Sequence, residues 1–155
     1  MRRTVSIIVP TYNRERLLRE TLAQLLVQDY PTFQLLLVDQ TASHDPETER
    51  FLVKNANRIR RLPMRQANLP AARNLGVRQS SGEIVIFFDD DFVPSRFWLE
   101  RMLAIFNARP DIAGMTGKVL ADGTRTEGIK LADAKAMVTR HDENLSRASV
   151  LQERF

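Results

Sequence analysis

The sequence predicts an α/β protein built on a doubly wound, mostly parallel sheet, and three observations carry that expectation. Short apolar runs of strand length, Val5 to Val9, Phe33 to Val38 and Ile84 to Phe88, alternate with longer segments whose apolar residues recur at helical spacing. Polar or acidic residues follow these runs: Thr11-Tyr12-Asn13, then Asp39, then Asp89-Asp90-Asp91. Strands alternating with helices imply parallel pairing through right-handed crossovers, and ligands of such sheets bind beyond the carboxyl ends of the strands, where the strand order reverses.

Taken in order, Val5-Ser6-Ile7-Ile8-Val9 is β-branched and apolar, a buried first strand closed by Pro10. Asn13 is placed to cap a helix carrying Leu17, Leu18, Thr21, Leu22, Leu25 and Leu26, a stripe that should face a sheet. Asp29-Tyr30-Pro31 breaks that helix before a second strand ending at Asp39. Asp45 and Pro46 fit the cap and first turn of a helix reaching about Asn55. Arg60 to Met64 reads as a basic third strand at a sheet edge, and Asn68-Leu69-Pro70 opens a helix over Ala71 to Gln79. The run Ile84 to Phe88 reads as a fourth strand buried on both faces. A helix over Pro94 to Ala108 and a fifth strand over Ile112 to Val119 follow. With strand order 3-2-1-4, the loops after the first and fourth strands flank one crevice. Residues 1–120 therefore read as one ligand-binding domain. Residues 121–155, with scattered apolar positions at Leu131, Ala134, Val138 and Leu145, read as a helical tail.

At 155 residues with 43% hydrophobic content, the chain is long enough to bury a core. Having no cysteine, it cannot use a disulfide, a thiolate metal site or a thiol nucleophile. No apolar run approaches the ~20 residues of a membrane helix, and Met1-Arg2-Arg3 leads into a strand and not a signal sequence. The expected location is the cytoplasm, or the inner face of a membrane as a peripheral protein. The net charge of +4 suits phosphorylated ligands or anionic headgroups; its arginines are scattered and not interleaved with aromatics, so no nucleic acid partner is expected.

Three adjacent aspartates raise one another's pKa unless a cation or a set of donors holds their ionised forms. Mg2+ or Mn2+ answers that need, since either takes one or two protein carboxylates and completes its shell with phosphate and water oxygens. An acidic loop capping the helix near Pro94 is the alternative.

With these residues laid out, the chain resembles the family 2 glycosyltransferases, which have the GT-A fold, a Rossmann-like nucleotide-sugar-binding domain. The resemblance rests on Val5 to Arg14, on Leu37-Val38-Asp39, on Asn68-Leu69-Pro70-Ala71-Ala72-Arg73-Asn74-Leu75-Gly76, and on Phe88-Asp89-Asp90-Asp91 with Pro94 behind it. It implies a nucleotide-sugar donor, a UDP-sugar above all, an acceptor hydroxyl, metal-assisted transfer and inversion. Thr11 and Tyr12 would lie on the base and ribose, the Tyr12 ring giving an apolar face to the base unless it is instead a half-buried core aromatic. Asp39 would accept a hydrogen bond from a pyrimidine imide N–H, or else cap a loop. Arg73 would reach the base or diphosphate, pairing with Asp39 or the aspartates when no donor is bound. In the Asp-x-Asp motif, Asp89 goes to the ribose and Asp91 to the Mn2+ or Mg2+, with Asp90 in support or as an alternative metal ligand.

Two departures accompany the resemblance. The family's general base, a carboxylate well downstream, has no counterpart here, so the catalytic residue is unknown and the fold is expected to be truncated on the acceptor side. Asp122, Glu127, Asp133, Asp142 and Glu143 read as solvated charges. The loop Gln40-Thr41-Ala42-Ser43-His44-Asp45 lacks the second acid and glycine common in the family, and His44 and His141 read as surface residues. A nucleotide-sugar-binding module, or one subunit of a homo-oligomer or partner assembly, is the competing reading.

Overall fold

The computed structural model describes residues 3–121 and 128–152, with 146–152 as backbone only. They form two compact units, Met1–Phe92 and Val93–Phe155.

The first unit holds β1 (Val5–Thr11), α1 (Arg16–Leu26), β2 (Gln34–Asp39), α2 (Pro46–Lys54), β3 (Ile59–Pro63), α3 (Leu69–Gln79) and β4 (Ile84–Phe87). Among the described residues the sheet has four strands, all parallel, in the order β3-β2-β1-β4. Ile7, Ile8 and Val9 of β1 and Leu36, Leu37 and Val38 of β2 are fully buried. Side chains of this size contribute about 1.5–3 kcal/mol each when removed from water, so the central pair anchors the unit. Alternation sends Ile8, Leu36 and Val38 to one face, where Ala72 of α3 joins them. An added Cβ at Gly76 would stand 2.4 Å from Ile8 Cγ2. That absent side chain lets α3 lie against β1, with its N-terminus beside the carboxyl ends of the strands.

Several expectations are corrected. β1 continues through Pro10 to Thr11, pairing Pro10 with Val38. Ile8 and Pro10 point the same way, and β4 reaches Ile8 with its last hydrogen bond, from the Phe88 N–H at 3.0 Å. The missing N–H of Pro10 therefore falls where the ladder has already ended. Asn13 is not the cap of α1: it takes φ 52°, a left-handed conformation that asparagine tolerates, and Glu15 holds the cap position without a side-chain hydrogen bond. β4 is an edge strand, with Phe87 47% exposed, and is not buried on both faces. Asp45 and Asn68 do cap their helices, accepting from the Thr48 N–H at 2.6 Å and the Ala71 N–H at 2.9 Å.

The second unit contains α4 (Trp98–Ala108) and α5 (Leu131–Gln152). Residues 112–119 form no strand. Leu99 and Leu103 are the buried residues of α4, and Asp142 on α5 accepts from Ser95 Oγ at 2.6 Å and from Arg101. Asp142 is thus a paired, 14% exposed carboxylate, not the solvated charge expected.

Candidate functional site

The polar residues that end β1 and β2 and those that follow β4 lie at the carboxyl edge of the sheet. Because β1 and β4 are neighbours, Thr11 and the aspartates share that edge, and Thr11 Oγ1 donates to Asp90 Oδ2 at 2.5 Å. Thr21, buried on α1, holds the same turn from below by donating to the main-chain oxygens of Asp90 (3.1 Å) and Phe92 (3.0 Å). Phe88 and Phe92 meet edge to face at 5.4 Å across the turn.

So fixed, the three carboxylates divide. Asp90 points inward and is 14% exposed. Burial pushes its pKa up, against the hydrogen bond from Thr11 and the field of Arg14, while Asp91 and Asp89 push the same way as burial. Asp89 and Asp91 point outward, 67% and 46% exposed, each with an arginine at 3.4 Å: Arg73 for Asp89 and Arg14 for Asp91. The Arg73 guanidinium also lies 5.7 Å from the Phe87 ring centroid, and its Nε is buried with no hydrogen-bond partner. Tyr12 is 52% exposed, its ring open and not packed into the core.

Asp39 ends β2 in a different setting. Its side chain is 1% exposed; Oδ1 accepts from the Thr41 N–H at 2.9 Å, and Oδ2 faces Arg61 Nε at 2.7 Å and His44 Nε2 at 3.0 Å. His44 is not a surface residue: its side chain is wholly buried, with Nδ1 3.1 Å from both oxygens of Glu15. The Glu15 pKa is lowered, because burial, which pulls it up, is outweighed by hydrogen bonds from Thr48, His44 and the Asp45 N–H and by the His44 charge. Arg61 reaches on to both oxygens of Glu49 at 3.0 Å. Sequence reasoning found neither His44 nor Arg61. The alternation of β3 offered a faint signal, since Arg61 pairs in register with Leu37, two residues before Asp39.

The outward carboxylates suit a hard divalent cation. Their oxygens are accessible and their arginine contacts long, whereas Asp90 is already bonded to Thr11. Among the described residues no three acidic or histidine side chains surround one point, so phosphate and water oxygens would have to complete a shell begun at Asp91. Of the tail acids, Asp133 and Glu143 are exposed, and Asp122 and Glu127 lie outside the described residues. A separate hollow of ≈ 510 Å³ lies at the opposite, amino edge of the sheet, lined by Thr4, Tyr30, Phe33, Arg58, Arg60 and Gly82 among others. It includes none of the seven predicted site residues.

A family model described as glycosyl transferase family 2 matches residues 6–148. The chain belongs to that family. Among curated relatives, glycosyltransferase AglE of Haloferax volcanii is 36% identical over 102 residues, 63% of this chain and 33% of AglE. Among solved structures, S. aureus TarS 1–349 in complex with UDP superposes with a TM-score of 0.62 at 25% identity, covering 80% of this chain and 40% of that one. The mannosyltransferase PcManGT of Pyrobaculum calidifontis, in complex with GDP-Man and Mn2+, gives 0.54 at 28% identity over 62% of this chain and 30% of that one. The family 2 chain thus has the GT-A type of α/β fold and spans a minor part of these relatives. No described helix is long and apolar enough to cross a membrane.

Proposed function

We propose that this chain binds a nucleotide-diphosphate sugar of the UDP type at the carboxyl edge of its sheet and serves its transfer, with inversion, to an acceptor hydroxyl. The observation that carries the reading is the buried, unpartnered Nε of Arg73 beside exposed Asp89: a donor and an acceptor held within one site without satisfying each other fully. Thr11 and Tyr12 take the ribose and base, the open Tyr12 ring supplying the stacking face. Asp39 accepts from the base with the capacity left on Oδ1, since an ionised carboxylate offers about four lone-pair sites and its own chain supplies three donors. Asp89 holds the ribose, Asp90 braces the turn through Thr11, and Asp91 holds Mn2+ or Mg2+. Bound there, the cation supplies Lewis-acid stabilisation of the charge that grows on the departing diphosphate. The UDP carried by the TarS structure and the GDP-Man and Mn2+ carried by PcManGT support the donor class and the ion.

A thermal-unfolding series tests this. UDP at 100 times its Kd stabilises the chain by about 2.7 kcal/mol. The shift should need Mn2+ or Mg2+ and disappear in Asp91→Ala. No shift with nucleotide and metal together would refute the reading. The pairing of Asp142 with Ser95 and Arg101 favours a second reading, in which this chain binds the donor without supplying a base. Sugar transfer by this chain alone would exclude that alternative.

A further inference from the structure

A network of polar and charged side chains stands behind Asp39. Its carboxylate is almost wholly buried, and two side chains converge on Oδ2: His44, backed by Glu15, and Arg61, backed by Glu49. Each ring nitrogen of His44 faces a carboxylate, and ionised carboxylates only accept. A carboxylate at each ring nitrogen fixes the orientation of the imidazole. Arg61 is permanently charged and donates through Nε. Oδ2 is therefore fully claimed by donors, the plane of the carboxylate is fixed, and Oδ1 has one hydrogen bond, from Thr41 N–H.

We propose that His44 and Arg61, backed by Glu15 and Glu49, are positioning residues that hold Asp39 as an acceptor of fixed orientation and thereby set which base the site accepts. The inference rests on the donor reading above, with Asp39 on the base. A uracil-type ring presents an imide N–H, a donor, to such an acceptor; cytosine presents a bare ring nitrogen, so lone pair meets lone pair. A base lacking the donor leaves a buried acceptor facing an acceptor, the situation that binding sites discriminate against most strongly. To hold cytosine through its 4-amino group instead, the ring would have to shift against a carboxylate that Arg61 and His44 keep from turning. A network serving stability alone would affect both nucleotides equally.

The test compares Kd for UDP and for CDP, each with Mn2+, in the whole chain and in two variants. In wild type, one hydrogen bond to a charged acceptor implies a preference for UDP of roughly tenfold or more. His44→Gln removes the imidazole that bridges Asp39 and Glu15 and should cut that ratio at least several-fold, mainly by improving CDP relative to UDP. Should His44→Gln not fold, Glu15→Gln, which alters His44 without touching Asp39, should lower the ratio in the same direction. An unchanged ratio in a folded variant overturns the proposal. Equal binding of UDP and CDP by wild type overturns it too while leaving the diphosphate-donor reading standing; binding of neither overturns both.

Discussion

Replacing Thr21 by valine tests how the aspartate turn is held. The two side chains have nearly the same shape, so the exchange removes one hydroxyl and leaves the packing of α1 in place. That hydroxyl is buried, and it faces the carbonyls of Asp90 and Phe92 at 3.1 and 3.0 Å. Leaving a buried acceptor unsatisfied costs about 1–3 kcal/mol, more than the net value of the hydrogen bond itself. For a chain of this size each kcal/mol moves Tm by about 2–4 °C, so Thr21→Val should melt about 2–12 °C lower. Thr21→Ser keeps the donor and loses one methyl, a deletion in the range of about 0.5–1.5 kcal/mol, and should retain more nucleotide affinity than the valine variant. The assay is thermal and urea unfolding beside UDP titration with Mn2+. A valine variant within about 0.5 kcal/mol of wild type, or one that binds UDP as well as the serine variant does, would show that the turn does not depend on this hydroxyl.

Two further outcomes are expected. At Gly82 an added Cβ would stand 2.4 Å from the Ser6 nitrogen and 2.6 Å from the Val5 carbonyl carbon, main-chain atoms that cannot step aside. Gly82→Ala should cost about 1–3 kcal/mol in chemical unfolding. Gly114→Ala, with nothing within 4 Å of the new methyl, should be close to neutral. The pH profile should combine opposite contributions. Glu15 and Asp45 have folded pKa values below their ordinary 4.5 and 3.8, Asp45 chiefly through the hydrogen bond from the Thr48 N–H. Their stabilisation is complete above those ordinary values and is lost as pH falls through the lower folded ones. Asp90 is raised above 3.8 by burial, so its ionised form opposes folding at neutral pH and that cost fades as pH falls through its folded pKa. Asp90→Asn should therefore melt no lower than wild type at pH 7 and lack this compensating rise on acidification, as thermal melts across pH 3–7 would show.

Most of the fold was legible because its elements carry redundant signals. Periodicity, caps and strand-length apolar runs agree for β1, β2, α2 and α3, and each needed only local information. The failures have local causes as well. Five apolar residues at Ile84 to Phe88 cannot announce whether a further strand will cover Phe87, and none of the described residues does so as a strand. The expected strand at 112–119 contains Gly114 and Gly117, which offer no side chain to pack and weaken a strand that has no partner in the sheet. Pro10 looked like a terminator because sequence alone does not reveal which side of β1 its missing N–H would occupy.

The site divides along the same line. Thr11, Asp39 and the aspartates stood out as candidates because each lies at or just past the end of a strand, and a parallel sheet gathers such positions at one edge whatever the intervening loops contain. The residues that fix those groups in space follow no such rule. Thr21 looked like one more member of the stripe on α1, and periodicity predicts that it is buried without revealing that its hydroxyl meets the Asp90 carbonyl. His44 sat in a polar loop where composition suggested exposure, yet two carboxylates contributed from β2 and the start of α1 draw the ring inside. Arg61 looked like a charge that keeps an edge strand soluble. In each case the missing information is a pairing between residues 22 to 69 positions apart, Arg61 with Asp39, His44 with Glu15 and Thr21 with Asp90, which the topology decides and no local window contains. Single-residue motifs thus mark where chemistry can occur, while the burial of a histidine or threonine beside them shows which orientation the fold enforces. That is why the base-selectivity experiment is aimed at His44 and Glu15 and not at Asp39 itself: substituting Asp39 would remove the acceptor, whereas changing its supports asks whether its orientation matters.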